Sequence, residues 1–405
     1  MPLNLLTPGA QVPVDVCNPQ GQLLLRRGEK LVDAEHVQRL RAHKPCIRQA
    51  DARAWQRAYE RAVQQQLRQP QAQIGDPMAL PATIEDQDYD EQPTHHFKGG
   101  WLDAQEVLRV LLFHGGLAMD PMPRLRMIEE RATQWLDEDA DDSLLSLFQA
   151  LATPALGYCA THALLCLAIT ELTAQKLGLD ADTRRALRYA SLTMNIGIGR
   201  IQDAMAQQTT PLTPAQRAQV QARPQISHYI LVSFGMDEPR VLDLVRWHHD
   251  AAHPQALSDN LLPRLVLQSA NRLVAQMAAR PTRSSLVPKN AERTLYTASQ
   301  DADSTAVSAA MAAAVSFFPP GSYVVLHNGH TAVSVRRGMQ ANKPWVVPII
   351  DAWGMPVAHY SAVDTAEHRY QIARAINFEK VRLGLNLDKI RRARDRLAVS
   401  PITVA

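Results

Sequence analysis

Residues 158–178 read YCATHALLCLAITELTAQKLG. Tyr158 to Leu177 contains neither proline nor glycine, and Gly178 then supplies a helix stop. Leu164, Leu165 and Ala168 recur at helical spacing, so the segment predicts a helix with a buried stripe. The same periodicity extends in both directions. Asp103 precedes an amphipathic run to Phe113, Arg124–Leu136 is another, and Asp142 with Ser143 can cap a helix bearing Leu144, Leu145 and Leu147. Downstream, Asp182 is placed to cap Arg185–Asn195, and Thr213 to cap Pro214–Phe234. Glu238-Pro239 opens a helix through His249. Leu262–Ala279 and Glu292–Phe317 complete a helical pattern, with further stripes at Ile226/Ile230 and Leu242/Val245.

The flanks read differently. Near the start, Val12, Val14 and Val16 alternate, Asn18-Pro19-Gln20-Gly21 is a turn, Gln22–Leu25 resumes a strand, and Asp33 can cap a short helix through Leu40. Ala52–Leu67 reads as a polar helix. Residues 69–94 are rich in Pro, Gln and Asp and read as a flexible linker, with Glu85, Asp86, Asp88, Asp90 and Glu91 as a solvated acidic spacer. Phe318-Pro319-Pro320-Gly321 breaks the helical pattern. Strands are then expected at Tyr323–Leu326, Thr331–Val335 and Trp345–Ile350, with turns at Asn328-Gly329 and Trp353-Gly354. Glu379–Leu397 reads as a helix with its Arg and Lys on a wet face. The expected architecture is mainly α, a helical bundle between a small β-rich N-terminal module (1–50) and a β-containing C-terminal extension (319–405). A helix and linker (51–98), connecting helices (99–140) and the principal helical domain (141–318) lie between them.

Composition narrows the classes. At 405 residues the chain is long for one core. Hydrophobic residues at 46% and charged residues at 20% suit a soluble globular protein. Lys plus Arg at 43 nearly balances Asp plus Glu at 40, which argues against a nucleic-acid binder with a concentrated basic face. Met1–Val14 shows no secretory pattern and nowhere do about 18 apolar residues run uncharged, so no membrane span is expected. Cys17, Cys46, Cys159 and Cys166 form neither a disulfide framework nor a Cys-x-x-Cys zinc motif. A cytoplasmic location is the plain expectation.

Few motifs carry chemistry. Gly197-x-Gly199 lacks the remaining P-loop residues, and no Gly-x-Ser-x-Gly elbow occurs. The richest cluster is His248-His249-Asp250-Ala251-Ala252-His253-Pro254. His249 and His253 would share a helical face at a workable metal-ligand spacing, although Pro254 and the small residues predict fraying near Asp250. Histidines there can equally serve helix-end carbonyls.

As a set, His162, the run Ala190-Ser191-Leu192-Thr193-Met194-Asn195-Ile196-Gly197, Pro211-Leu212-Thr213-Pro214, Arg223-Pro224, His248-His249-Asp250, Asn271 and Arg280-Pro281-Thr282-Arg283 resemble the HD-GYP branch of the HD-domain phosphohydrolases. The resemblance covers about 141–318 and implies an HD-type helical bundle. Members of that branch are metal-dependent and hydrolyse cyclic di-GMP, using divalent iron or manganese at a two- or three-metal site. It implies that His162, His248 and His249 stand at residual metal positions. The His-Asp pair falls on Met194 and Asn195, the histidine of a His-Pro pair on Arg223, a metal-binding aspartate on Asn271, and a lysine on Ile198. The Gly-Tyr-Pro signature is absent, since Ala251–Asn260 holds no glycine.

These replacements alter the chemistry. A two-metal phosphodiesterase needs anionic and imidazole donors to hold cations about 3.5–4 Å apart and to generate hydroxide. An amide at Asn195 is neutral, a thioether at Met194 is soft, and a guanidinium at Arg223 repels divalent ions. The resemblance therefore implies a catalytically degenerate phosphohydrolase fold with no metal cofactor and no catalytic residue expected. It would act as a binding or scaffolding module in bacterial signalling around cyclic di-GMP. The alternatives are a residual metal-dependent phosphodiesterase on His162, His248 and His249 or His253, and a non-catalytic cyclic di-nucleotide sensor. Arg223, Arg280 and Arg283 are the candidate ligand-binding residues; the last two could grip a phosphate or pair with Asp243 or Asp259. Protein partners and a homodimer complete the candidate associations.

Overall fold

The computed structural model describes residues 8–9, 11–18, 23–31, 33–42, 45–48, 51–52, 54–55, 58, 100–118, 120–153, 156–279, 285–287, 290, 301–381, 383 and 385–399. The chain divides into two compact units, Met1–Lys98 and Gly99–Ala405.

In the first unit, β1 (Val16–Cys17) lies between β2 (Leu23–Leu25) and β3 (Cys46–Ile47), antiparallel to both. Helix α1 (Ala34–Ala42) starts where expected, because the Asp33 carboxylate accepts the His36 amide at 2.7 Å. Val12, Val16, Leu25, Leu31, Val37 and Leu40 fill its core. Of the anticipated polar helix, residues 51–52, 54–55 and 58 are helical, with Ala54 and Ala58 packed under Val14. The linker and its acidic tract lie outside the described residues.

The second unit is mainly helical. Its helices are α2 (Trp101–His114), α3 (Pro121–Leu151), α4 (Cys159–Lys176), α5 (Ala181–Thr193), α6 (Gly199–Gln207), α7 (Pro214–Ser233), α8 (Pro239–Trp247), α9 (Leu261–Met277) and α10 (Ala302–Val315). Every residue of α4 from Cys159 to Ala174 is buried, and α2, α3, α5, α6, α9 and α10 all touch it. A helix enclosed on all sides has no wet face and belongs in the middle of a bundle. Gly199 permits close approach of α6 to α2, since a Cβ there would stand 2.5 Å from the Leu112 carbonyl oxygen.

Three expected caps move by a few residues. Asp139, not Asp142 or Ser143, accepts the Asp142 amide at 2.8 Å, and its non-helical backbone kinks α3. Asp180, not Asp182, accepts from the Thr183 amide at the start of α5. Trp247 ends α8, leaving His248 as its C-cap and His249 beyond it. Thr213 caps α7 with a reciprocal bond from its own amide to Gln216. The buried face of α7 is set by Ser227 and Leu231, however, and Ile226 is exposed.

The strands β4 (Tyr323–Leu326), β5 (Thr331–Arg336), β6 (Trp345–Ile350), β7 (Val363–Asp364) and β8 (Ile372–Ile376) form an antiparallel sheet in the order β7-β6-β5-β4-β8. Alternate residues serve opposite faces. Tyr323, Val333, Val335, Val347 and Ile349 pack with Leu145 of α3, whereas Val324, Leu326, Ala332 and Val346 pack with Phe318. Helix α11 (Leu387–Val399) adds Ile390 and Ala393 to the first of these cores. Lys389, Arg392 and Arg396 are exposed, as the wet-face reading expects, but two other arginines depart from it. Arg391 meets Asp142 at 2.8 Å and Arg394 meets Asp139 at 2.8 Å, both on α3 around the kink.

Arg188 of α5 ties three helices together, reaching Glu129 of α3 and Glu171 of α4, each at 2.6 Å. Arg184 takes the other Glu171 oxygen at 2.8 Å. Removing one member of a buried charge cluster leaves the others uncompensated. Arg188→Ala should therefore destabilise the protein by roughly 3–5 kcal/mol, read from denaturant unfolding. Retention of wild-type stability would show that the cluster contributes little.

Candidate functional site

The sequence-derived residues converge where α4, α5, α7 and α8 meet. His162 lies in the first turn of α4, 1% exposed, with its Nδ1 3.7 Å from Cys166 Sγ and its ring 5.2 Å from that of Tyr158. The start of α4 is held from α6, where Asp203 accepts the amides of Tyr158 at 2.9 Å and Cys159 at 2.6 Å. No local pattern marks Asp203, because a cap supplied by a distant helix leaves no trace in adjacent sequence. Burial and this carboxylate push the Cys159 thiol far above the ordinary thiol range.

Helix α5 ends at Met194, fully buried, and Asn195, 2% exposed, followed by a single 3-10 turn, Ile196–Ile198. Ser227 of α7 clamps this turn. Its hydroxyl donates to the Met194 carbonyl at 3.0 Å and accepts the Gly197 amide at 3.1 Å. Gly197 makes the approach feasible, since a Cβ there would come within 2.9 Å of Ile226. Arg223 lies one helical turn before Ser227 and so on the same face of α7. Ser227 was not anticipated from sequence.

Arg223 donates from Nη2 to His249 Nε2. The His249 ring lies 4.0 Å from that of His248, centroid to centroid. His248 is fully buried, and its Nδ1 lies 3.0 Å from the Val245 carbonyl oxygen. A carbonyl can only accept, so Nδ1 carries the proton and Nε2 keeps a lone pair. This Nε2 has no partner, nor do both amide atoms of Asn195 or the Nε of Arg223.

Electrostatics here favour neutral imidazoles. Burial, then the neighbouring His249 and Arg223, hold His248 well below the usual histidine range. Desolvation and the charges of Arg223 and Arg272 push His249 down to about 4. Burial brings Arg223 itself down to about 10, which leaves it charged at neutral pH. The expected helix-end role for the double histidine therefore holds for the His248 ring only; it is closed to solvent, and His249 serves Arg223.

The remaining site residues differ in their settings. His253 is beyond the end of α8, so it shares no helical face with His249; its ring stacks on Trp247 at 3.7 Å. Asn271 is buried on α9, and Ile198 is buried at the end of its 3-10 turn. Arg280 and Arg283 lie outside the described residues. The acids weighed as their partners are engaged elsewhere: Asp243 with Arg264 at 2.6 Å and with Asn260 at 2.7 Å, and Asp259 with Arg240 at 3.7 Å. Among the described residues, no group of three or more His, Cys, Asp or Glu side chains is placed to hold a metal ion. A cavity of about 350 Å³, lined by Trp101, Trp135, Ser146, Leu387 and Arg391 among others, shares no residue with the histidine cluster. No described helix is long and apolar enough to cross a membrane.

No family model and no curated protein matches the chain. Among solved structures, Bd1817, an HDG"Y"P protein from Bdellovibrio bacteriovorus, is similar at 14% identity and a TM-score of 0.38, over 76% of this chain and 95% of that one.

Ser227→Ala removes both bonds that join α7 to the turn after α5. Each stranded buried backbone group costs about 1–3 kcal/mol. The variant should unfold at clearly lower denaturant concentration, and an unchanged midpoint would show that the clamp is dispensable.

Proposed function

We propose that this chain is a catalytically degenerate protein of the HD-GYP type, serving as a non-hydrolytic binding or scaffolding module in signalling linked to cyclic di-GMP. One observation carries the reading. The guanidinium of Arg223 donates to the imidazole of His249, where the sequence resemblance implies two metal-binding histidines.

A divalent cation needs that imidazole lone pair and, in a cluster, anionic charge to offset its own. Arg223 occupies the lone pair and adds positive charge. Asn195 contributes a neutral amide and Met194 a thioether. This donor set does not suit a dinuclear centre, so no hydrolytic step is routed through one. The helical frame does not depend on those donors, because α4 and its neighbours are held by apolar packing and by the Arg188 cluster. A fold of this kind outlasts its chemistry.

The test is elemental analysis of the purified chain, together with turnover of cyclic di-GMP and its linear product. Substoichiometric iron and manganese and no hydrolysis are expected. Stoichiometric metal with hydrolysis that scales with it would overturn the reading. The unpartnered, buried Nε2 of His248 favours a second reading, a residual phosphohydrolase built on one metal. In that case His248→Ala/His249→Ala would abolish a measurable activity; activity unchanged by the pair of substitutions removes this alternative.

A further inference from the structure

Buried or half-buried charge is ordinarily paired, since an uncompensated ion away from water is costly. Several arginines in the helical body follow this rule: Arg188 meets Glu129 and Glu171, Arg264 meets Asp243, and Arg391 meets Asp142. Arg223 departs from it, as does half-buried Arg246, whose guanidinium lies over the Trp247 ring instead. The Nη2 of Arg223 meets a neutral imidazole, its Nε is sealed without a partner, and among the described residues no carboxylate lies within ion-pair distance. Arg272 stands exposed near His249, also with no carboxylate at that distance among the described residues. The Asn195 amide, in the turn that Ser227 of the Arg223 helix clamps, and the His248 lone pair are buried and unsatisfied.

Taking the metal-free reading above as its basis, we propose that this cluster binds a phosphate-class oxyanion between Arg223 and Arg272, with Asn195 and His248 as its inner polar groups. The unsatisfied atoms specify its chemistry. Arg223 Nε and Asn195 Nδ2 are donors, suited to anionic oxygens. His248 Nε2 and Asn195 Oδ1 are acceptors, suited to a ligand that keeps a hydroxyl proton. Hydrogen phosphate or a phosphomonoester supplies both, whereas sulfate at neutral pH supplies oxygens alone. The inner atoms are closed to solvent, so the half-buried Arg223 side chain swings off His249 to admit the anion.

Thermal unfolding and titration calorimetry on metal-free protein test this, using inorganic phosphate against chloride at matched ionic strength. Sulfate and cyclic di-GMP form parallel arms. Phosphate should raise the melting temperature and bind more tightly than sulfate. Arg272→Ala, an exposed change that leaves the fold intact, and Arg223→Gln should each weaken binding roughly tenfold or more. Cyclic di-GMP, whose phosphodiesters carry no proton for the two acceptors, should bind no more tightly than sulfate, and its binding in place of phosphate would overturn the assignment. Absence of phosphate binding, or binding retained in both variants, overturns the proposal. Stoichiometric metal would instead overturn the reading beneath it, so the two failures are distinguishable.

The N-terminal unit carries an independent feature. Cys17 of β1 and Cys46 of β3 are direct antiparallel partners, with Cys46 exposed and Cys17 half-buried. Directly opposed residues lie about 4.5–5.5 Å apart at Cα, inside the disulfide range of about 4.4–6.8 Å. We infer that the pair is a reversible thiol–disulfide site. A peroxide-class oxidant turns one thiol into a sulfenic acid with release of water. The second thiol then displaces that oxygen as another water, so two electrons and two protons leave as the S–S bond forms. Titration of the full chain with hydrogen peroxide and peptide mapping by mass spectrometry should find a Cys17–Cys46 cross-link, reversed by dithiothreitol and absent in Cys46→Ser. Over-oxidation of Cys46 without a cross-link, or cross-links solely between chains, would overturn it.

Discussion

Helix α4 is enclosed from Cys159 to Ala174, so its polar residues must be satisfied by protein atoms rather than water. Glu171 therefore sits between Arg184 and Arg188, and Thr170 exchanges a 3.0 Å hydrogen bond with Ser191. Thr161 donates to the Gly157 carbonyl just before the helix, and Thr173 to the Ile169 carbonyl within it. Asp203 reaches across from α6 to cover the amides at its start. These bonds fix the register of α3, α5 and α6 against the central helix, because a shift in any of them would strand a buried charge or donor. The rest of the bundle is arranged around that requirement.

The same enclosure governs His248, whereas His249 is exposed and is held low by local desolvation and by Arg223 and Arg272. An imidazole away from water resists protonation, and neighbouring guanidiniums reinforce the effect. His248 and His249 thus remain neutral, which lets one accept from Arg223 while the other keeps a lone pair over its carbonyl-bound Nδ1. The cluster combines a fixed cation with uncharged donors and acceptors, a balance opposite to that of a site holding divalent ions. Burial thus shapes both the stability of the bundle and the charge of this cluster.

Much of the helical framework was legible locally. Thr213 announced α7 and Asp33 announced α1, since both caps bond within three residues of themselves. Tyr323–Leu326 and Trp345–Ile350 were legible as strands because a breaker precedes them and β-branched residues fill them. Asp142 and Asp182 misled because each lies within three residues of another aspartate able to cap. Sequence shows that a cap is near, and backbone geometry chooses among the candidates. At the site, the residue types at positions 194, 195 and 223 were readable, but the Ser227 clamp was not, since it joins segments some thirty residues apart.

Sequence by itself determined the short-range features: helical periodicity from α2 to α10, the break at Pro319-Pro320, strand alternation, and the absence of a carboxylate at Met194, Asn195 and Arg223. Those follow from interactions within a turn or two of chain. Tertiary structure alone decided that Arg223 rests on His249, that Cys17 opposes Cys46, and that Arg391 and Arg394 face Asp142 and Asp139 rather than solvent. Such pairings depend on how distant apolar faces close together. A charged side chain reads alike in sequence whether it meets water or a partner, and packing makes that choice.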